Sequence, residues 1–290
     1  MYNAFFGFTQ NPFNMSPDPS FLFRSTQHEE ALANLIYGVR SQKGFIVLTG
    51  EVGTGKTTML ECLRDYLNEH GIAFASFFNS RLSVEQFFEL LAYDFDLPVN
   101  RLSKTEVLLA LNHMLLERAG SGRTTVLIVD EAHNLEWDVL EEIRLLGNLE
   151  NRVGKLLQIV LSGQQELDAK LEHPRYRQLK QRIALRCALR GFDAAQTAAY
   201  IGSRMSHAGV PDQAIITHDL IGEIHFRSQG IPRLINSICD NALLTAFALE
   251  SRFVTRAILD EVTSDMRLEY PGADASRPES PFRERSIRRQ

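Results

Sequence analysis

The chain has 290 residues, 44% of them hydrophobic and 23% charged, with a net charge of −5, which suits one large domain or two modest ones with a packed core. No apolar run approaches the roughly 20 residues of a membrane-spanning helix, and no secretory leader follows the N-terminus, so a cytosolic location is expected. The acidic balance argues against a surface given over to nucleic acid, while leaving room for a local basic stripe. Cys62, Cys187 and Cys239 are widely spaced and form no CxxC pair. They point to neither a disulfide framework nor a zinc site and read as small buried hydrophobes.

Residues 1–24 are rich in Phe, Pro and Asn, and Pro12, Pro17 and Pro19 interrupt any regular helix, so an extended, aromatic-anchored arm is expected. A first helix is predicted over 27–40, where Leu32, Leu35, Ile36 and Val39 recur at helical spacing. Then short β-rich runs (GFIVLTG, IAFASFF, TTVLIVD, LLQIVLSG, ALRCAL) alternate with helical patterns at 57–70, 83–95 and 104–118. The runs are apolar on consecutive residues, as in parallel strands covered by helices on both faces. The predicted fold is therefore a doubly wound α/β core over 25–191. After Gly191 only helical patterns follow, at 193–208, 218–228, 232–250 and 255–267, with Asp193 and Thr217 as N-caps and Pro232 in a first turn. These predict a small all-helical domain over 192–269. Residues 270–290 are rich in Pro, Ser and Arg with almost no apolar residues, and are expected to be a disordered, mildly basic tail.

The run Phe45 to Thr49 leads into Gly50-Glu51-Val52-Gly53-Thr54-Gly55-Lys56-Thr57 and then into the helical pattern over 57–70, which includes Thr58. This is the strand, glycine loop and helix of a Walker A motif. The glycines let successive backbone N–H groups turn inward toward phosphates, and the helix adds its positive end. Lys56 is expected to reach the β- and γ-phosphates, and the Thr57 hydroxyl to ligate Mg²⁺. The predicted nucleotide site is thus Gly50 to Thr58.

A second run, Thr125 to Val129, ends in Asp130 and Glu131, where ligands sit in open α/β sheets. Asp130 is the expected holder of the Mg²⁺ shell and Glu131 the group that orients and deprotonates the attacking water. Two acids at a strand end are also a common solvated turn, but the glycine loop upstream favours the catalytic reading. Asp130 to His133 spell DEAH, yet a helicase needs two such cores and the chain has one. His133 reads as a structural or signalling residue.

Taken in order, FFGF, NPF, SPDPSFLF, His28, GFIVLTGEVGTGKTT, VLIVDEAHNL, LQIVLSGQQEL, LKQRIALRCAL and GIPRLINSICDNALLTA closely resemble the general secretion pathway protein A (ExeA/GspA) type of AAA+ ATPase, with related members in pilus and exosortase loci. The resemblance covers nearly all of the folded part. It implies an AAA+ P-loop NTPase with a parallel five-stranded sheet flanked by helices and a C-terminal helical lid. It places Gln164 at the sensor 1 position, a residue that would otherwise be a solvated turn, and Gln165 where the family commonly has proline. It makes Arg182 the arginine finger reaching a neighbouring subunit's site, with Arg186 the runner-up. On the residues alone, Arg175, Arg177, Lys180, Arg182 and Arg186 also read as a solvated basic face. Arg233 resembles the sensor 2 arginine of the lid. Phe5, Phe8, Phe13, Phe21 and Phe23 could line an adenine pocket or pack on a neighbour, with core packing the simpler reading.

The resemblance implies ATP and Mg²⁺ as cofactors, self-assembly into a ring or other homo-oligomer through Arg182, and service to a secretion, pilus or exopolysaccharide system at the envelope. It also implies an inner-membrane component as a possible partner. The full family pattern adds a membrane helix and a peptidoglycan-binding domain that this sequence does not show, so a membrane partner is expected to be a separate protein. The alternative is an ATP-dependent DNA regulator of transposition type, for which Arg175 to Arg190 and the tail arginines Arg283, Arg285, Arg288 and Arg289 are the only basic candidates.

Overall fold

A computed structural model describes residues 2–15, 23–78, 81–99, 103–152, 154–210 and 215–268. The expected tail over 270–290, with its four arginines, and Phe21 lie outside the described residues. Chain contacts divide the molecule into two compact units. Asn14–Phe192 together with Ile231–Arg233 form one; the described parts of Met1–Phe13, Asp193–Gly230 and Leu234–Gln290 form the other.

The first unit is built on five strands: β1 (Phe45–Gly50), β2 (Ala73–Phe77), β3 (Thr125–Val129), β4 (Gln158–Gly163) and β5 (Ile183–Leu189). They form one parallel sheet in the order β2-β3-β4-β1-β5. Among the described residues six longer helices accompany them, α2 (Thr26–Arg40), α3 (Lys56–Glu69), α4 (Val84–Asp94), α5 (Lys104–Gly120), α6 (Trp137–Leu146) and α7 (Gln165–Glu172), together with the single turn α8 (Arg177–Lys180).

The continuous apolar runs have a simple cause. Side chains alternate across a strand, so Phe45 and Val47 of β1, Leu127 and Val129 of β3, and Ile159 and Leu161 of β4 enter one core, shared with Phe87, Leu91, Leu111, Leu140, Ile143 and Leu167 of the helices. Ile46, Leu48, Val126, Ile128 and Val160 enter a second core on the other face, against Leu35, Val39, Leu60 and Leu63 of α2 and α3. Both faces are dry, so neither needs polar residues. β5, at the sheet edge, instead alternates between exposed and covered positions, with Cys187 and Leu189 turned inward.

In the second unit, α9 (Ala194–His207) starts on a capping box in which Asp193 accepts from the Gln196 N–H and the Gln196 side chain accepts from the Asp193 N–H. Thr217 occupies the N-cap of α10 (His218–Ser228) in extended conformation but makes no side-chain cap bond. α11 (Pro232–Ala248) buries Ile235, Ile238, Cys239, Leu243 and Ala246, and α12 (Arg256–Asp265) buries Ile258, Leu259 and Val262.

The N-terminal segment differs from the extended arm expected of it. Asn3–Phe6 form one helical turn, α1, closed by Gly7 in the left-handed region at φ 83°. The turn is held by an edge-on aromatic cluster of Tyr2, Phe6 and Phe8 and by Phe5 against Phe247. The Tyr2 hydroxyl bonds to Asp240, the Thr9 N–H donates to the Ala208 carbonyl, and Phe8 and Phe13 are buried. Burial of large aromatic rings overrides the weak local propensity here.

Among the described residues no helix is long and apolar enough to cross a membrane. Cys187 and Cys239 are buried, Cys62 is half-buried, and all three are free thiols.

Candidate functional site

All five strands run parallel, so their C-terminal ends lie along one edge, and the loops after β1, β3 and β4 bring three sequence-distant segments together there. β1 is in register with β4 from Phe45↔Ile159 to Thr49↔Gly163, and β4 with β3 up to Val129↔Leu161. Gly50, Asp130 and Gln164 therefore leave adjacent strands at nearly the same level.

The glycine loop is shaped by steric demands. A Cβ on Gly50 would stand 2.7 Å from the Leu189 carbonyl oxygen, and Gly53 and Gly55 sit at φ +83° and +100°, a region that side-chain-bearing residues rarely adopt. Thr54 is fully buried and ties the loop to itself, its hydroxyl donating to the Glu51 carbonyl over 2.9 Å. Val52 is exposed at the loop tip. Gly55 is the N-cap of α3 and offers no side chain to its first turn, which leaves that turn's N–H groups for a ligand. Thr58 lies one residue further, half-buried in α3.

Lys56 is buried, and its ammonium donates to the Gly50 and Glu51 carbonyls at 2.9 Å each. Burial pulls its pKa below the ordinary lysine value, opposed by the charges of Glu131 and Asp130. The Thr57 hydroxyl donates to Oδ2 of the buried Asp130 over 3.2 Å. Asp130 is fixed from its backbone, whose N–H donates to the Phe77 carbonyl, and its Oδ1 accepts from the Glu131 N–H at 2.9 Å.

Glu131 itself stands at φ 51°, left-handed backbone for a residue with a long side chain. Its Oε2 accepts from the Gln164 amide at 3.3 Å and faces Nε2 of His133 at 3.4 Å. Gln164 is the N-cap of α7, and its backbone N–H donates to Nδ1 of His133 over 3.3 Å. Gln165, where proline is common in the family, takes the first position of α7, one that either residue can fill. Its side chain reaches Glu51 Oε1 at 3.3 Å.

A buried contact that the motif reading gave no role braces the loop from behind. His28 of α2 donates from Nε2 to the Thr54 carbonyl over 3.0 Å, and its Nδ1 accepts from the Ser25 hydroxyl at 2.6 Å. Burial lowers the His28 pKa from its ordinary value, partly offset by the Thr54 carbonyl. The sequence marks His28 only as a member of the resembling set without an assigned role, and as a histidine on the apolar face of a helix.

The two candidate sensor and finger arginines lie differently. The Arg233 N–H donates to the Gly53 carbonyl over 3.3 Å, and a Cβ on Gly53 would stand 2.6 Å from the Arg233 Cβ, so Arg233 adjoins the glycine loop. Arg182 lies just before β5, at the opposite edge of the sheet, half-buried, with its N–H on the Leu179 carbonyl. Glu141, held below the ordinary carboxylate value chiefly by Arg144, also feels the Arg182 charge. Arg186, in mid-strand, is engaged by Asp168 at 2.9 Å.

The residues present fit a bound Mg-nucleotide. The glycine loop is a cradle that Cβ atoms would fill, and the Thr57 hydroxyl beside the Asp130 carboxylate is the sparse oxygen donor set that Mg²⁺ uses while keeping most of its waters. No cluster of three His, Cys, Asp or Glu able to cage a metal occurs among the described residues.

Comparison with known proteins agrees with this geometry. Residues 39–171 match the AAA domain family. Over 251 residues the chain is 44% identical to general secretion pathway protein A of Aeromonas hydrophila, a match that spans 86% of this chain but 45% of that relative, less than half its length. Among solved structures, Cdc6p from Pyrobaculum aerophilum superposes with a TM-score of 0.68 at 20% identity, covering 89% of this chain and 71% of that one. The ORC2 protein of Aeropyrum pernix, in its ADPNP-ADP complexes, superposes with a TM-score of 0.62 at 14% identity, covering 89% and 72%. At those identities the structures speak for the fold alone. The chain therefore has the fold of an AAA+ P-loop NTPase, carries an AAA domain over residues 39–171, and is similar over 251 residues to general secretion pathway protein A.

Proposed function

We propose that this chain binds and hydrolyses Mg-ATP in a homo-oligomer and that its nucleotide cycle drives or regulates assembly of a secretion, pilus or exopolysaccharide system at the cell envelope. The observation that carries the ATPase reading is the convergence of Lys56, Thr57, Asp130, Glu131 and Gln164 at one sheet edge. The envelope role rests on the 44% identity to general secretion pathway protein A.

Bound Mg-ATP would supply an electrophilic γ-phosphorus and a metal charge. The chain's own groups do the rest. The Lys56 ammonium, now spent on two loop carbonyls, is the cation available to phosphate oxygens, and the loop N–H groups of Gly50 to Thr58 bind and orient the anion. Thr57 and Asp130 present the oxygens that would hold Mg²⁺. Glu131 has one oxygen, Oε2, turned to Gln164 and His133, while no hydrogen bond engages Oε1 among the described residues. Oε1 is the atom that takes the proton of the attacking water, and the Gln164 amide holds the carboxylate in place. Arg233, beside Gly53, is the sensor of the γ-phosphate on the same chain. Arg182, remote from its own loop, acts on a neighbour's site as the finger and makes activity depend on assembly. Arg186, already paired with Asp168, is the weaker choice.

The test is ATP turnover at low salt over a range of protein concentrations, with and without duplex DNA, using Glu131→Gln as the blank. Specific activity that climbs with concentration and ignores DNA supports an assembled envelope ATPase. Strong, salt-sensitive stimulation by DNA overturns that role in favour of the transposition-type regulator. Co-purification with an inner-membrane protein in its native host would identify the partner.

A further inference from the structure

The immediate surroundings of Glu131 contain a group that the ATPase reading leaves unused. His133 is nearly buried, with 11% of its side chain exposed, and both ring nitrogens are engaged. A backbone N–H can only donate, so the bond from the Gln164 N–H makes Nδ1 an acceptor and leaves the ring proton on Nε2. That proton faces Oε2 of Glu131 across 3.4 Å, longer than an ideal hydrogen bond and within reach of one after a small closure. The loop holding His133 is pinned a second time from the same helix: Lys170 of α7 donates to the His133 and Leu135 carbonyls at 2.8 and 2.7 Å. Sequence separation hides this, since Gln164 and Lys170 are 31 and 37 residues from His133.

Glu131 needs such a hold. Its backbone is in the left-handed region and its side chain is 36% exposed, so nothing in its own segment limits the carboxylate to one rotamer. Gln164 supplies one donor to Oε2 and His133 the other, and both approach the same oxygen. Two donors on Oε2 orient Oε1 outward.

We propose that His133 is a positioning residue for Glu131. With its ring proton on Nε2, it holds the carboxylate by donating to Oε2, its own ring orientation fixed by the Gln164 backbone at the end of β4. The proposal rests on the assignment of Glu131 as the group that deprotonates the water. His133 acts through Glu131.

Two near-isosteres separate the two ring nitrogens. His133→Gln keeps an N–H near the position of Nε2 and gives up the acceptor at Nδ1, whereas His133→Asn keeps an acceptor near Nδ1 and gives up the donor to Glu131. The full chain, its two variants, His133→Ala and Glu131→Gln are compared for kcat, KM, nucleotide affinity by competition with a fluorescent ATP analogue, and melting temperature. Misplacement of a catalytic group by an ångström is enough for losses of about 10- to 100-fold in rate. His133→Asn and His133→Ala are therefore expected to lose at least about 10-fold in kcat at unchanged nucleotide affinity, and His133→Gln to keep most of the activity. Equal loss in the Gln and Asn variants, or wild-type kcat in Ala, overturns the proposal while leaving Glu131 in place. If Glu131→Gln itself turns over ATP normally, the assignment of Glu131 falls and the role of His133 falls with it. Should His133→Ala fail to fold, the Gln and Asn pair still decides the matter.

Discussion

The Nε2–H of His28 donates to the carbonyl oxygen of Thr54 across 3.0 Å, tying the helix before β1 to the middle of the glycine loop. Gly55 lies so close that a Cβ there would stand 3.0 Å from the same nitrogen. The ring is packed edge-on against Phe192 and has no carboxylate partner among its hydrogen bonds, so burial favours its neutral form.

That fixes the sign of a pH effect. In the unfolded chain His28 titrates near its ordinary value of 6.5, and in the folded chain below it. Between the two values the unfolded state binds more protons, so stability falls as pH drops through about 6.5 and the loss is complete below the folded-state value. The melting temperature of the wild-type chain is expected to fall between pH 7.5 and 5. His28→Gln, which keeps an N–H donor but does not titrate, should flatten part of that fall. An unchanged slope in the variant would show that other groups carry it.

A second prediction concerns the glycine loop. Gly53→Ala places a methyl 2.6 Å from the Arg233 Cβ at a backbone φ of +83°, and strain of that kind is of order 1–3 kcal/mol. The loop must shift, and ATP affinity is expected to weaken on the order of 10-fold. Gly120→Ala is the control, since a Cβ there meets nothing within 4 Å and φ is not positive. Its ATP affinity should match the wild type. Titration of a fluorescent ATP analogue reads both.

Much of this site was legible in the sequence because its parts are local. A loop that must present backbone N–H groups admits few residues besides glycine, and strands covered on both faces are apolar over most of their length, so both left short, ordered signatures. The contacts that complete the site are not local. His28 meets Thr54 and His133 meets Gln164 only because α2 packs on β1 and because β4 lies beside β3 in the sheet, and no spacing along the chain encodes that adjacency. The single turn at Asn3–Phe6 was hidden for another reason: its support comes from Phe247, Asp240 and Ala208, more than 190 residues away.

The arginines give a third prediction. Arg186 is paired with Asp168 and both are substantially exposed, a type of pair that contributes about 0–1 kcal/mol. Arg186→Ala should leave turnover within about twofold and stability nearly unchanged. Arg182→Ala should keep nucleotide affinity yet lose the rise of specific activity with protein concentration, with turnover down on the order of 10³-fold if the arginine serves a neighbour's site as fingers do elsewhere. Mixing Arg182→Ala with Glu131→Gln protein supplies the decisive readout. Each retains what the other lacks, so mixed oligomers should regain turnover that neither shows alone, and no recovery would argue against a shared site.

Gly38 supplies a test of the packing that places α2 against the sheet. A Cβ on this residue would come within 2.4 and 2.8 Å of Ile46 Cδ1 and Cγ1, and within 2.9 Å of Leu185 Cδ1. Alanine is worth about 1 kcal/mol over glycine in a helix interior, while overpacking a core costs about 1–3 kcal/mol, so Gly38→Ala should be net destabilising by up to roughly 2 kcal/mol. Removing the offending methyl from the other side separates the two terms. Ile46→Val alone should cost about 0.5–1.5 kcal/mol as a truncation, yet in the Gly38→Ala background it clears the closest contact and should cost less or even stabilise. Denaturant unfolding of the four proteins gives the coupling directly. A coupling near zero would mean that the helix moves away from β1 to make room, and because His28 rides on the same helix, ATP affinity should then drop as well.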